Sequence, residues 1–329
     1  MKRTTFGRHD GQEIRDAVLE DGPTRIAVLN YGCVIRDWRL DGVPMVLGFD
    51  GFEAYPAHSP SFGIMAGRVA NRIAGGRFIL NGATHQLSQN IPPNHLHGGH
   101  VGLGRRVWKM EVDSAARAVQ LTYRSPEGEE GYPGAVDFAV TFQLRDGRLI
   151  CDMTGRPDRP TPINLAQHNY YNLAGAGDSR DHRLQVAADR YLPVSAGLIP
   201  TGEIAPVDGT MFDFRTARTV AAADPDAIGH DHNLCLIAGR DPAEPAAELT
   251  ASGRRLRLWT DQPGLQLYTG SKLGPPVPGL DGQRYGPFAG LCLEAQGWPD
   301  AVNWPGFPSI IATPEAPYRQ RLEVEIAAF

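Results

Sequence analysis

A period of two runs through this sequence. Val136, Phe138, Val140, Phe142 and Leu144 fall on one side of an extended chain, and Asp137, Thr141 and Gln143 fall on the other. That is the pattern of a strand with one buried face. Arg255–Trp259 and Arg321–Ile326 alternate in the same way. No window of about 11 residues carries a convincing helical period. Strands are expected at 13–19, 24–31, 33–40, 76–80, 83–87, 107–113, 118–123, 136–144, 148–154, 183–188, 232–237, 245–250, 255–260, 265–269, 291–295 and 319–326. The strongest hairpin signal is Asn81-Gly82. Asp50–Tyr55 reads as one helical turn stopped by Pro56. With 38 Gly and 27 Pro to punctuate these short elements, the expectation is all-β. It is a single domain spanning 1–329, a large twisted antiparallel β-sandwich whose concave sheet offers a groove.

Several function classes fall away. The formal net charge is −5 and no long Lys/Arg run occurs, so neither nucleic acid nor an anionic membrane is an expected partner. No apolar run approaches a membrane span. Met1-Lys2-Arg3 is not followed by the apolar core of a signal peptide, and a cytoplasmic location is expected. Cys33, Cys151, Cys235 and Cys292 are far apart among apolar residues, which suits buried, reduced thiols. There is no nucleophile elbow, dinucleotide fingerprint or P-loop.

The polar residues that interrupt this pattern are the candidates for chemistry. In Leu291–Asp300, Leu291, Leu293 and Ala295 point one way and Cys292, Glu294 and Gln296 the other. Glu294 is thus carried mid-strand among apolar neighbours, where desolvation raises a carboxyl pKa towards general acid–base work. An edge-strand Glu in solvent is the ordinary alternative. Asn71 and Arg72 lie in a short segment between glycines, and an Arg held there can donate several hydrogen bonds to a polar ligand. His95, His97 and His100 cluster in a Gly-rich loop. The H-x-H spacing suits a metal, but no third ligand is fixed nearby, so none is expected. His168 lies among amides and aromatics, Asp231 opens an apolar strand, and Gln266 and Tyr268 share one strand face. Each also has a bland reading: a loop arginine, a hydrogen-bonded structural histidine, an Asx turn. Together they suit an uncharged polyol ligand.

Six segments, GRVANRI at 67–73, NHLHGG at 94–99, QHNYYNL at 167–173, HDHN at 230–233, PGLQLYTG at 263–270 and LCLEAQGWPDAVN at 291–303, resemble the aldose 1-epimerase (galactose mutarotase) family in the family's order. The resemblance covers nearly the whole chain and implies a large β-sandwich that interconverts the anomers of free aldoses without a cofactor. It implies Glu294 as the base at the C1 hydroxyl, His168 as the acid at the ring oxygen and His97 as a second histidine near that oxygen. Asn71, Arg72, Asp231 and Gln266 would hold hydroxyls. The partner would be a monosaccharide, and the chain a monomer or homodimer. Ala70, Asn169, His230 and Trp304 depart from the family's usual residues, and the expectation is that they lie near the groove and affect sugar choice. Two other classes remain. A sugar-phosphate epimerase would need Arg68, Arg105 or Arg106 as a phosphate clamp. A non-catalytic carbohydrate-binding protein of the same fold is the other.

Overall fold

The computed structural model describes residues 3–329; Met1 and Lys2, where the reading for a signal peptide begins, lie outside them. Three antiparallel sheets hold most of the strand residues. The first is a meander of five strands, Arg3–His9, Gln12–Asp21, Thr24–Leu29, Ile35–Leu40 and Val43–Pro44. The second has nine strands, in the spatial order Lys109–Asp113, Ala118–Ser125, Val136–Arg145, Arg148–Pro157, Tyr318–Ala328, Arg254–Thr260, Ala247–Ala251, Arg183–Val186 and Arg218–Thr219. The third has six, in the order Tyr170–Tyr171, Leu291–Gln296, Gly264–Tyr268, Asp231–Leu236, Ala188–Tyr191 and Ala205–Pro206.

The alternation read from the sequence is what joins these layers. Val136–Arg145 buries every second residue. Its Phe138, Val140 and Phe142 meet Val28 and Trp38 of the five-stranded sheet and Leu234, Leu265, Leu267 and Leu293 of the six-stranded sheet in one apolar cluster. Burying one face of each sheet against the others is what a sandwich requires. It leaves the second face of the six-stranded sheet free to carry polar side chains.

Two expectations need correction. Residues 183–188 do not form one strand. Arg183–Val186 belongs to the nine-stranded sheet and Ala188–Tyr191 to the six-stranded sheet, so the chain changes layers at Ala187. Pro56 does not end the helical turn but lies inside it, in Ala54–His58. A first-turn residue has no intrahelical acceptor for its N–H, so proline costs nothing there. A second short helix, Val220–Ala223, was not expected; Thr219 Oγ1 caps it by accepting from the Ala222 N–H. Asn81-Gly82 does join a hairpin, Arg77–Leu80 with Ala83–Gln86. All four cysteines are buried and free. Among the described residues no helix is long and apolar enough to cross a membrane.

Candidate active site

The polar face of the six-stranded sheet is built in rows. Register places Asn233 beside Gln266 and Gln266 beside Glu294. The next row runs Asp231, Tyr268, Cys292, Tyr170. Leu265, Leu267, Leu291 and Leu293, the alternate residues, are fully committed to the core. The two-residue period therefore sends Glu294 to the opposite side from the apolar layer that anchors it. Glu294 is only 2% exposed, and its Oε2 has no hydrogen-bond partner among the described residues.

Two loops bring the remaining groups over this face. His168 is pinned by its backbone: its N–H donates to the Ile64 carbonyl at 2.9 Å and its carbonyl accepts from the Gly63 N–H at 2.9 Å. Its ring stacks on Tyr170, with centroids 5.1 Å apart and planes 24° apart. That places His168 Nε2 at 3.5 Å from Glu294 Oε1. Asn71 and His97 interlock. The Asn71 N–H donates to His97 Nδ1 at 3.1 Å, and the His97 N–H donates to the Asn71 carbonyl at 3.0 Å. Both residues are left-handed, with φ 61° and 50°, a conformation Asn tolerates better than most. Gly98 continues the turn with φ 86°, and a Cβ on it would lie 1.8 Å from the Gly67 carbonyl oxygen, so only glycine fits. The His97 ring crosses that of His168 nearly at right angles, centroids 5.2 Å apart.

These residues enclose a cavity of about 260 Å³, smaller than the ~300–1,000 Å³ of pockets for drug-sized ligands. Asn71, Arg72, His97, His168, Asp231 and Glu294 all stand on its wall. Gln266 stands behind Asp231, donating from Nε2 to Asp231 Oδ1 at 2.7 Å, while Arg72 Nη1 approaches Asp231 Oδ2 at 3.9 Å. Tyr170 and Tyr268 add aromatic surface.

Electrostatics follow from burial. Desolvation, with Asp231 adding to it and Arg72 opposing it, holds the Glu294 carboxyl well above the usual range. Desolvation pushes His168 down to about 4. Desolvation, His168 and Arg72 all lower His97. A neutral carboxyl facing a neutral imidazole is the arrangement this enclosure favours, and it holds the same single proton as a carboxylate facing an imidazolium. A pair of this kind passes a proton through a ligand at little electrostatic cost.

His97, His168 and Glu294 each offer a donor atom within 4.8 Å of the others. The missing third ligand assumed from the sequence is therefore present, supplied from distant strands rather than beside His95. The tautomer nonetheless argues against a metal. His97 Nδ1 accepts a backbone N–H, so the neutral ring carries its proton on Nε2 and presents a hydrogen-bond donor rather than a lone pair. His95 is a structural residue, with Nδ1 2.6 Å from the Ser88 carbonyl and Nε2 2.7 Å from the Tyr132 hydroxyl.

Other expectations fare differently. Ala70, Asn169, His230 and Trp304 do not stand on the cavity wall. Asn169 donates to the Tyr171 hydroxyl, His230 Nε2 meets the Met211 carbonyl and Trp304 Nε1 donates to Asp300; Ala70 is buried in a cluster with Ala66 and Ala166. Arg68 is no clamp, because its guanidinium is spent on Ser125 Oγ and the carbonyls of Ser125, Pro126, Pro133 and Gly134. Arg106 pairs with Glu129. The wall residues to which the sequence reading gave no role are Pro60, Ser61, Leu96, Leu198, Lys272 and Leu273. Leu96 lies inside the NHLHGG segment, and Lys272 follows the PGLQLYTG segment by two residues.

Known proteins similar to this chain share one family. A family model described as aldose 1-epimerase matches residues 16–325. Galactose mutarotase of Rattus norvegicus is 41% identical over 330 residues, 97% of this chain and 96% of that protein. Aldose 1-epimerase of Escherichia coli is 35% identical, covering 91% of this chain and 90% of that protein. The crystal structure of galactose 1-epimerase from Lactobacillus acidophilus superposes with a TM-score of 0.88 at 30% identity, over 99% of this chain and 98% of its own.

Proposed function

The chain belongs to the aldose 1-epimerase family, a family of carbohydrate isomerases, and on that footing we propose that it interconverts the α and β anomers of free aldoses such as galactose and glucose. The observation that carries the chemistry is the 3.5 Å approach of His168 Nε2 to Glu294 Oε1 on a cavity wall. Mutarotation moves one proton off the C1 hydroxyl and one onto the ring oxygen, and both oxygens are bonded to the same carbon. Two groups this close, sharing one proton, match that demand.

In our reading the single proton of the pair passes from Glu294 to His168, and Glu294 then takes the proton from the C1 hydroxyl while His168 delivers one to the ring oxygen. The C1–ring-oxygen bond breaks, and the open-chain aldehyde turns about C1–C2. It recloses on the other carbonyl face with the two roles reversed. Nothing is oxidised, and every proton taken is returned. His97 donates from Nε2 towards the ring oxygen. Asn71, Arg72 and Asp231 hold hydroxyls, with Gln266 fixing Asp231. General acid and base catalysis contribute about 10²–10⁴-fold each, ample for a reaction that already proceeds in water. The test is polarimetry of freshly dissolved α-galactose and α-glucose. Faster approach to the equilibrium rotation is expected; a rate equal to the buffer control overturns the reading and leaves a non-catalytic sugar binder.

A further inference from the structure

The reading above treats the ligand as an uncharged polyol, yet the charges around the cavity do not balance for one. Its wall carries two cations, Arg72 and Lys272, and two carboxyl groups, Asp231 and Glu294. Asp231 is engaged by Arg72 and Gln266, and Glu294 is enclosed at 2% exposure and faces His168 Nε2 at 3.5 Å. Lys272 is exposed and makes no ion pair or side-chain hydrogen bond among the described residues. The turn that carries it is fixed, since the Leu273 N–H donates to the Gly270 carbonyl at 3.0 Å. A second cavity of about 270 Å³ adjoins the first and shares Ser61, Leu96 and His97 with it. Its wall has no carboxylate and one further cation, Arg105, which is also exposed and without an ion pair among the described residues. In a chain of formal net charge −5, whose arginines are mostly paired, this is a locally positive opening.

We propose that the site takes aldoses bearing an anionic group remote from the anomeric carbon, and that Lys272 is the specificity-determining residue that pairs with it. The class is acidic sugars, whose charge is a carboxylate, as in a hexuronic acid, or a phosphate ester. An ammonium on a four-carbon stem meets either as a point charge. With C1 held between Glu294 and His168, the anionic end lies towards the cavity mouth, where Lys272 stands. The walls focus the field there and raise the local concentration of anions. The inference rests on the anomer-interconverting function proposed above.

The experiment compares kcat/KM, after subtraction of the uncatalysed rate, for galactose and glucose with those for galacturonate, glucuronate and glucose 6-phosphate. The parent protein, Lys272→Gln and Arg105→Gln are assayed at low and high salt. The expected result is a preference of about tenfold or more for one acidic class over its neutral parent, shrinking with salt and largely lost in the acid-to-neutral ratio of Lys272→Gln. Preference for the uronates identifies the carboxylate. Preference for the 6-phosphate, reduced also by Arg105→Gln, identifies the phosphate and places it across both cavities. Turnover of neutral sugars with no acidic preference, or a ratio unmoved by Lys272→Gln, overturns this inference alone. Failure to turn over any sugar overturns the reading on which it rests.

Discussion

At the scale of the residue, Glu294 is where chemistry and binding can be separated. Glu294→Gln keeps the volume and still hydrogen-bonds a C1 hydroxyl, but it cannot accept a proton. Polarimetry should show kcat lower by about 10²–10⁴-fold, or roughly 3–5 kcal/mol at 1.36 kcal/mol per decade, while calorimetry finds sugar affinity changed far less. Turnover near the parental rate would remove Glu294 from the role of base. Asp231 and Arg72 supply the contrast, because in the proposed mechanism they would contact the ligand in ground and transition states alike; Arg72→Ala should weaken binding along with rate. The same pair sets the pH dependence. In the proposed mechanism the active form holds one proton between His168 and Glu294. Below about 4, where His168 protonates, the pair carries two protons and no base. Above the raised value of Glu294 the pair holds no proton and no acid. A bell-shaped kcat/KM is expected, its acid limb near pH 4 and its alkaline limb well above an ordinary carboxyl value. The two limbs belong to the pair rather than to single residues. A profile flat through both limits would contradict the shared proton.

At the scale of the element, the His97 loop owes its shape to a glycine. Gly98→Ala forces a Cβ into a left-handed residue and against the backbone of Gly67, which has no flexible side chain to swing aside. Strain of this kind costs about 1–3 kcal/mol and overpacking a similar amount. A fall in Tm of several degrees, with loss of activity because His97 is displaced, is expected. Gly11→Ala is the control: its φ is 76°, but nothing lies within 4 Å of the added Cβ, so only the conformational cost should appear. Equal effects would remove the Gly67 contact as the cause. This loop also marks what sequence made legible. Alternation in Leu291–Gln296 put Glu294 opposite the core residues, and the register agrees, because side-chain direction in a strand is local. The crossing of Ala187 between sheets was not legible, since 183–188 alternates acceptably for either layer. Lys272 was passed over because a cavity wall is a meeting of distant segments, and one lysine after a turn carries no periodic signal. The tautomer of His97 was hidden for the same reason: it depends on an amide 26 positions away.

At the scale of the whole molecule, the three sheets share one apolar cluster, so we expect the chain to unfold in a single cooperative transition, with calorimetric and van't Hoff enthalpies equal. That cooperativity lets a buried site group register in global stability. Glu294 holds its proton more tightly when folded than a free carboxyl does. Below the unfolded value, near 4.3, both states are protonated and the group makes no pH-dependent difference. As pH rises above it the unfolded chain releases the proton while the folded one retains it, so stability falls. The loss continues until pH passes the raised folded value and then levels off. Each unit of the upward shift amounts to about 1.36 kcal/mol. Glu294→Gln has no proton to retain, so the sugar-free variant should match the parent at pH 4 and melt at progressively higher temperature than the parent as pH rises to 8. His168 titrates at about 4, so the trend as pH rises above that value belongs to Glu294. A difference in Tm that stays constant across this range would mean that Glu294 titrates as an ordinary exposed carboxyl, and the enclosure that tunes it for proton transfer would be absent. A widening gap would show the catalytic carboxyl to be held at the expense of the fold, as expected where function and stability make opposite demands on one side chain.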